Sequence, residues 1–156
     1  MNSAWSRAGL ALKPAQLREA RRFAVQLVYQ MEAAQQSFLT DSILQAFFGQ
    51  NEVDQELRAV IQVAVQTVID KREEVDAKIE SCSSNWKLSR IARVDLAILR
   101  ICTAELMTRS EVPKDVIISE GVELGKQFGS TASGGFINGV LDGVARAMNV
   151  GGKSSP

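Results

Sequence analysis

Three arginines within five residues, Arg18, Arg21 and Arg22, form the cationic group of this sequence most suited to chemistry with a ligand. Guanidinium groups grip phosphate oxygens through paired N–H donors, so the functional reading is contact with a nucleic-acid backbone. The alternative from spacing alone is ordinary surface arginine. Phe136 follows two glycines where a helix is due to begin. It either fills the core or offers its ring to an unstacked base.

Little other chemistry is available. The chain has no histidine, which removes Ser-His and Cys-His pairs and most zinc sites. Cys82 and Cys102 make no CxxC pair and read as small apolar residues in a reducing compartment. Glu120 and Glu123 stand one turn apart, as a solvated helix face does, with neither marked as acid or base. Gly129-x4-Gly134 has the glycine spacing of a phosphate loop. It lacks the lysine and Ser/Thr that complete one, and it follows a helix instead of a strand. No catalytic residue, metal site or cofactor is expected.

The elements that must position these residues are helical throughout, so the fold class is all-α. Arg90–Thr108 is apolar on most sides, with Ile91, Val94, Ile98, Ile101 and Cys102 at helical spacing, and is read as the central helix. A tight turn over Leu88–Ala92 precedes it. Pro14 opens an earlier helix running to about Gln36, with Leu17, Ala20, Ala24, Leu27, Val28 and Met31 inward and the arginines on another face. Asp41 caps a short helix ended by Gly49, and Asn51 caps a long one over Glu52–Ser81. The run Lys71–Glu74 is read as solvated. Ser81–Asn85 is a polar break, after which Trp86 and Leu88 return to the core. A further helix covers Pro113–Phe128, where Gly121 and Gly125 let a neighbour approach closely. Gly129–Gly135 is a mobile loop, and the last helix covers Gly135–Met148. Residues 1–13 are expected as a flexible arm, 14–148 as one domain and 149–156 as a loose tail.

Lys+Arg and Asp+Glu are both 18, but their placement is uneven. Met1–Met31 holds five basic residues and one acidic; Asp41–Glu80 holds nine acidic and four basic. That pattern suits a local anionic contact, not a basic coat. No apolar run approaches a membrane span, and no secretory h-region opens the chain. A soluble cytoplasmic protein is expected.

Ala20–Tyr29, Arg93–Arg100, Val112-Pro113, Ile118–Lys126 and Phe136–Asp142 stand in the order seen in the NusB family of bacterial transcription antitermination factors. The resemblance spans about Leu17 to Met148. It implies two small helical bundles packed across each other around the central apolar helix, and no enzymatic activity. It implies binding of boxA leader RNA together with NusE, a small-subunit ribosomal protein, and entry into the antitermination complex on RNA polymerase. That role promotes transcription of ribosomal RNA operons. Matched residue by residue, it places Arg18, Arg21, Arg22 and Phe136 at RNA, and Tyr29 and Asp95 on the NusE surface. The family's first-helix basic run is thinner here, with Glu19 inside it, and the loop before Phe136 lacks the usual acidic and basic residues.

Two rivals follow. One is a protein-interaction factor of this fold with weak or no RNA binding. The other is the N-terminal domain of an rRNA cytosine methyltransferase, against which the length of the chain speaks. Oligomeric state stays open between monomer and homodimer.

Overall fold

A computed structural model describes residues 3–84 and 87–152, and apolar residues recurring every three or four positions fold these described residues into eight α-helices. They are α1 (Ala4–Ala8), α2 (Pro14–Ala33), α3 (Asp41–Asn51), α4 (Arg58–Asp70), α5 (Arg72–Cys82), α6 (Arg93–Thr108), α7 (Lys114–Phe128) and α8 (Ser133–Gly152). Single 3-10 turns at Gln55–Leu57 and Leu88–Arg90 lead into α4 and α6. No strand forms among the described residues.

α6 is the helix the others lean on. Every residue from Asp95 to Leu106 is buried, and α2, α4, α5, α7 and α8 all pack on it. Ile98, Leu99, Ile101 and Cys102 have no exposed surface; each of the three larger side chains contributes about 1.5–3 kcal/mol by leaving water. Burial also pushes the Cys102 thiol up to about 12, so it packs as an inert apolar group. One bundle gathers α1, α2, α3 and α4; Phe47 of α3 meets Phe23 of α2 edge to face at 6.1 Å. The second gathers α5 to α8, with α6 joining it to α2 and α4.

Caps fix several boundaries. Pro14 occupies the first turn of α2, where the Lys13 backbone N–H donates to the Gln16 side-chain oxygen at 2.9 Å. The cap of α3 is Thr40, not Asp41: its hydroxyl accepts from the Ile43 N–H. Gly49 does not end α3, which continues to Asn51 and stops where Glu52 turns left-handed at φ 51°. Asn51 therefore caps nothing. Its amide donates to the Phe47 carbonyl and accepts from Gln26.

The single helix expected over Glu52–Ser81 is two, broken at Lys71. Apolar periodicity carries through the break, so hydrophobic spacing gives no sign of it. The run after it is not all solvated. Arg72 pairs with Glu32 at 2.9 Å and Asp76 at 3.1 Å, and buried Arg100 of α6 meets Asp76 at 2.9 Å and Glu32 at 3.2 Å. Burial would raise the Glu32 carboxyl, but Arg100 and Arg72 hold it below its ordinary value.

Of the expected N-terminal arm, Met1 and Asn2 lie outside the described residues, and residues 3–13 do not form a free arm. Ser3 caps α1, Trp5 is only 3% exposed, and the Arg109 guanidinium lies 6.0 Å from its ring. The Ser6 hydroxyl donates to Glu111. Burying one indole supplies what a five-residue helix lacks by itself. At the other end, α8 starts earlier and runs further than expected, from Ser133 to Gly152. Residues 153–156 of the expected tail lie outside the described residues, as do Asn85 and Trp86. Gly121 and Gly125 do admit α8 closely: a Cβ on Gly125 would stand 2.6 Å from Ile137 Cδ1.

Candidate nucleic-acid interface

The three arginines of α2 do not share one face. Leu17, Arg21, Ala24 and Val28 follow one another at intervals of four, three and four, the interval of a buried stripe. Arg21 accordingly points inward and is 8% exposed. Its Nε and Nη2 donate to the two carboxylate oxygens of Glu105 at 2.9 and 2.7 Å. Arg109 adds a third bond to Glu105 at 2.8 Å, and Glu120 stands 3.7 Å from Arg21 Nη1. Burial alone would lower the Arg21 guanidinium, but the Glu105 carboxylate more than offsets this and holds it above its ordinary value. Arg21 is thus a core ion-pair residue and is withdrawn as a phosphate contact.

Arg18 faces solvent, and Arg22 is half-buried. Arg18, with 63% of its side chain exposed, pairs with Glu120 at 3.1 Å. Arg22 pairs with Glu19 at 2.7 Å and lies over the Phe23 ring at 4.3 Å. Exposed pairs of this kind are worth about 0–1 kcal/mol, so a phosphate can replace either carboxylate. The Arg21 pair, buried and bidentate, cannot be exchanged so cheaply.

Arg22 also borders an open apolar cleft of about 310 Å³ with Val25, Gln26, Tyr29, Val94, Leu124 and Phe128. Phe128 and Tyr29 are the exposed rings of this cleft, and α2, α6 and α7 each supply part of it. Tyr29 is where the α2 periodicity predicts it, two turns beyond Arg22. Val94 and Leu124 read from the sequence as core positions and Phe128 only as the end of a helix, so none of the three is expected at a site. Phe128, four residues after Leu124 at the end of α7, is the signal that could have found them.

Asp95 does not join Tyr29. A step of one residue along α6 turns the side chain by about 100°, so Val94 faces the apolar cleft and Asp95 faces another. That second cleft, of about 320 Å³, is lined by Arg90, Ile91, Ala92, Asp95, Ala132 and Phe136. Phe136 is half-buried in the first turn of α8, while the next residue, Ile137, is the one that fills the core. The segment before it is more ordered by hydrogen bonds than a seven-residue loop. The Ser130 N–H donates to the Ser133 hydroxyl at 2.9 Å, and the Phe136 N–H donates to the Ala132 carbonyl at 3.1 Å. The two clefts thus flank the first turn of α6, with cationic Arg22 at one and Arg90 at the other. No cluster of metal-binding side chains occurs among the described residues. No helix there is long and apolar enough to cross a membrane.

Residues 18–146 match the NusB family. The transcription antitermination protein NusB of Anaeromyxobacter dehalogenans is 42% identical over 130 residues, covering 83% of this chain and 89% of the relative. That of Sorangium cellulosum is 42% identical over 128 residues, covering 82% and 90%. Among solved structures, T. maritima NusB superposes with a TM-score of 0.72 at 26% identity, covering 83% of this chain and 89% of that one. A chain from the crystal structure of antitermination factors NusB and NusE in complex with dsRNA gives 0.76 at 20% identity, covering 86% and 99%, a likeness of fold.

Proposed function

Because this chain belongs to the NusB family, we propose that it is an RNA-binding transcription antitermination factor. In this reading it binds boxA-type leader RNA together with NusE, acts in the cytoplasm within the complex on elongating RNA polymerase, and catalyses no reaction. The observation that carries the reading is the pair of clefts flanking the start of α6. One is apolar, with Tyr29 and Phe128 exposed; the other holds Phe136. The apolar cleft suits a protein partner, because exposed aromatic rings beside aliphatic side chains are the usual anchors of a protein interface. NusE is the partner assigned to it. Arg18, Arg22 and Phe136 suit single-stranded RNA, through phosphate attraction and stacking.

Titrating the protein with boxA RNA, alone and with NusE present, tests this. Binding that NusE strengthens is the expected result. NusE binding without RNA binding would favour the interaction-only reading instead.

A further inference from the structure

Unlike the arginines of α2, three cations at the entry to α6 have no acidic partner. Lys87, Arg90 and Arg93 follow one another at intervals of three, and all are exposed. Elsewhere on the surface, cations meet carboxylates. Arg18 pairs with Glu120, Arg22 with Glu19, Arg72 with Glu32 and Asp76, Lys126 with Glu123, and Arg146 with Asp142. No ion pair or side-chain hydrogen bond engages Lys87, Arg90 or Arg93 among the described residues. Local structure turns them outward. Ile91 is buried and Leu88 packs against the core, which leaves the residues around them to solvent. Glu80 reaches this segment, but its carboxylate accepts from the Leu88 backbone N–H at 3.4 Å and pairs with none of the three.

Three residues of chain span at most about 10 Å, close to the screening length of about 8 Å in physiological salt. The 3-10 turn at Leu88–Arg90 shortens that span further. The three charges therefore repel one another, and folding gains nothing from them. An arriving anion relieves the repulsion.

We propose that Lys87, Arg90 and Arg93 form a strip that holds RNA phosphates without regard to sequence, and that it supplies more of the electrostatic attraction than Arg18 and Arg22 do. The inference rests on the RNA-binding reading above and assigns the charge-dependent part of it to residues outside α2. A phosphate on Arg18 or Arg22 must first displace Glu120 or Glu19. A phosphate on the strip displaces only mobile counterions, whose release drives binding. The two guanidinium groups can each take two phosphate oxygens, Lys87 adds a point charge, and exposed Ser89 adds a hydroxyl donor. Phosphates are alike on every nucleotide, so such contacts position a strand and choose no base. An acidic protein segment could also meet three cations. The strip shares Arg90 with the cleft that holds Phe136, however, and an aromatic face there suits a base better than a carboxylate.

Fluorescence anisotropy of the full chain tests this, with labelled boxA RNA and a scrambled strand of equal length, each from 50 to 200 mM KCl, with and without NusE. Combining Lys87→Gln, Arg90→Gln and Arg93→Gln should weaken binding at 50 mM and flatten the slope of log affinity against log salt by roughly 2, at about 0.7 for each phosphate. The triple variant should then lose roughly 20-fold less affinity than the wild type over that range. Both strands should respond alike, and Arg18→Ala with Arg22→Ala should flatten the slope less. The melting temperature should hold, since no ion pair is broken. If the triple variant does not fold, Lys87→Gln and Arg93→Gln taken singly should each flatten the slope by roughly 0.7. An unchanged slope in the folded variants, a larger effect of the α2 pair, or a loss confined to the boxA strand would overturn this inference while leaving RNA binding intact. Failure of the wild type to bind either strand, with or without NusE, would overturn both this and the proposed function. If the triple variant loses NusE affinity in the absence of RNA and keeps its salt slope with RNA, the strip serves an acidic protein surface and the phosphate assignment is wrong.

Discussion

Arg21 of α2 and Glu105 of α6, 84 positions apart in the chain, meet in a bidentate ion pair at 2.9 and 2.7 Å with almost no exposure of either side chain. Arg109, just past the end of α6, closes on the same carboxylate, and Trp5 lies under Arg109. One buried acid therefore ties together α2, the end of α6 and the N-terminal α1.

Glu105→Gln should leave two buried guanidinium groups facing a neutral amide, at a cost of about 3–5 kcal/mol. Urea unfolding would show it as a lower midpoint at unchanged slope. Arg21→Leu combined with Glu105→Leu should lose less than the two single changes summed, by about 0.5–3 kcal/mol of coupling. Strict additivity would mean that the pair does not act as a unit.

Arg18→Ala with Arg22→Ala leaves this ion pair intact. The slope of log affinity against log salt should flatten by roughly 0.7 for each phosphate of single-stranded RNA that an arginine no longer neutralises. Phe136→Ala should cost about 1–3 kcal/mol of binding at every salt concentration and leave the slope nearly alone. An unaltered slope in the arginine double variant would remove this face from the RNA site.

Tyr29→Asp places a charge in the apolar cleft without touching the core. NusE affinity measured by calorimetry should fall tenfold or more, about 1.4 kcal/mol, while the melting temperature stays put. A melting temperature that drops with unchanged affinity would make Tyr29 a packing residue.

Acid stability should depend on Glu32. Its carboxyl is held below the ordinary 4.5 by Arg100 and Arg72 against the opposing effect of burial. The unfolded chain therefore takes up that proton first. The contribution to stability is complete above 4.5 and is lost as pH falls through 4.5 towards the lower folded value. Glu32→Gln should flatten the acid limb of a plot of melting temperature against pH and change little near neutrality beyond a constant offset.

Trp5→Ala tests whether α1 belongs to the fold. Because α1 can detach locally, the loss should not exceed the about 3–5 kcal/mol of a fully buried Trp→Ala change. Faster amide exchange over Ala4–Ala8 should accompany it. Unchanged stability would restore the flexible arm.

Local rules read directly from the residues were enough for the helices themselves. Apolar spacing marks α2, α6, α7 and the body of α8, and the near-continuous apolar surface of Arg93–Thr108 places α6 at the centre. The absence of histidine likewise bounds the chemistry before any fold is known. Boundaries set by a single hydroxyl or a single ionic contact, such as the Thr40 cap and the break at Lys71, were not legible, because apolar periodicity runs straight past them.

The site needed the tertiary structure for a different reason. The spacing of Leu17, Arg21, Ala24 and Val28 already puts Arg21 on the inner stripe, but a charge there makes sense only with a partner. That partner, Glu105, comes from another helix, and no local rule pairs two residues so far apart in sequence. The same holds for Asp95. One helical step separates it from Val94, and only the packing of α8 beside the start of α6 sets it in a cleft with Phe136 instead of Tyr29. Short-range backbone and burial preferences act within a few residues and can be read from the chain. Which charges meet, and which cleft a side chain lines, depends on how helices distant in sequence pack, and that is settled only when the whole core closes.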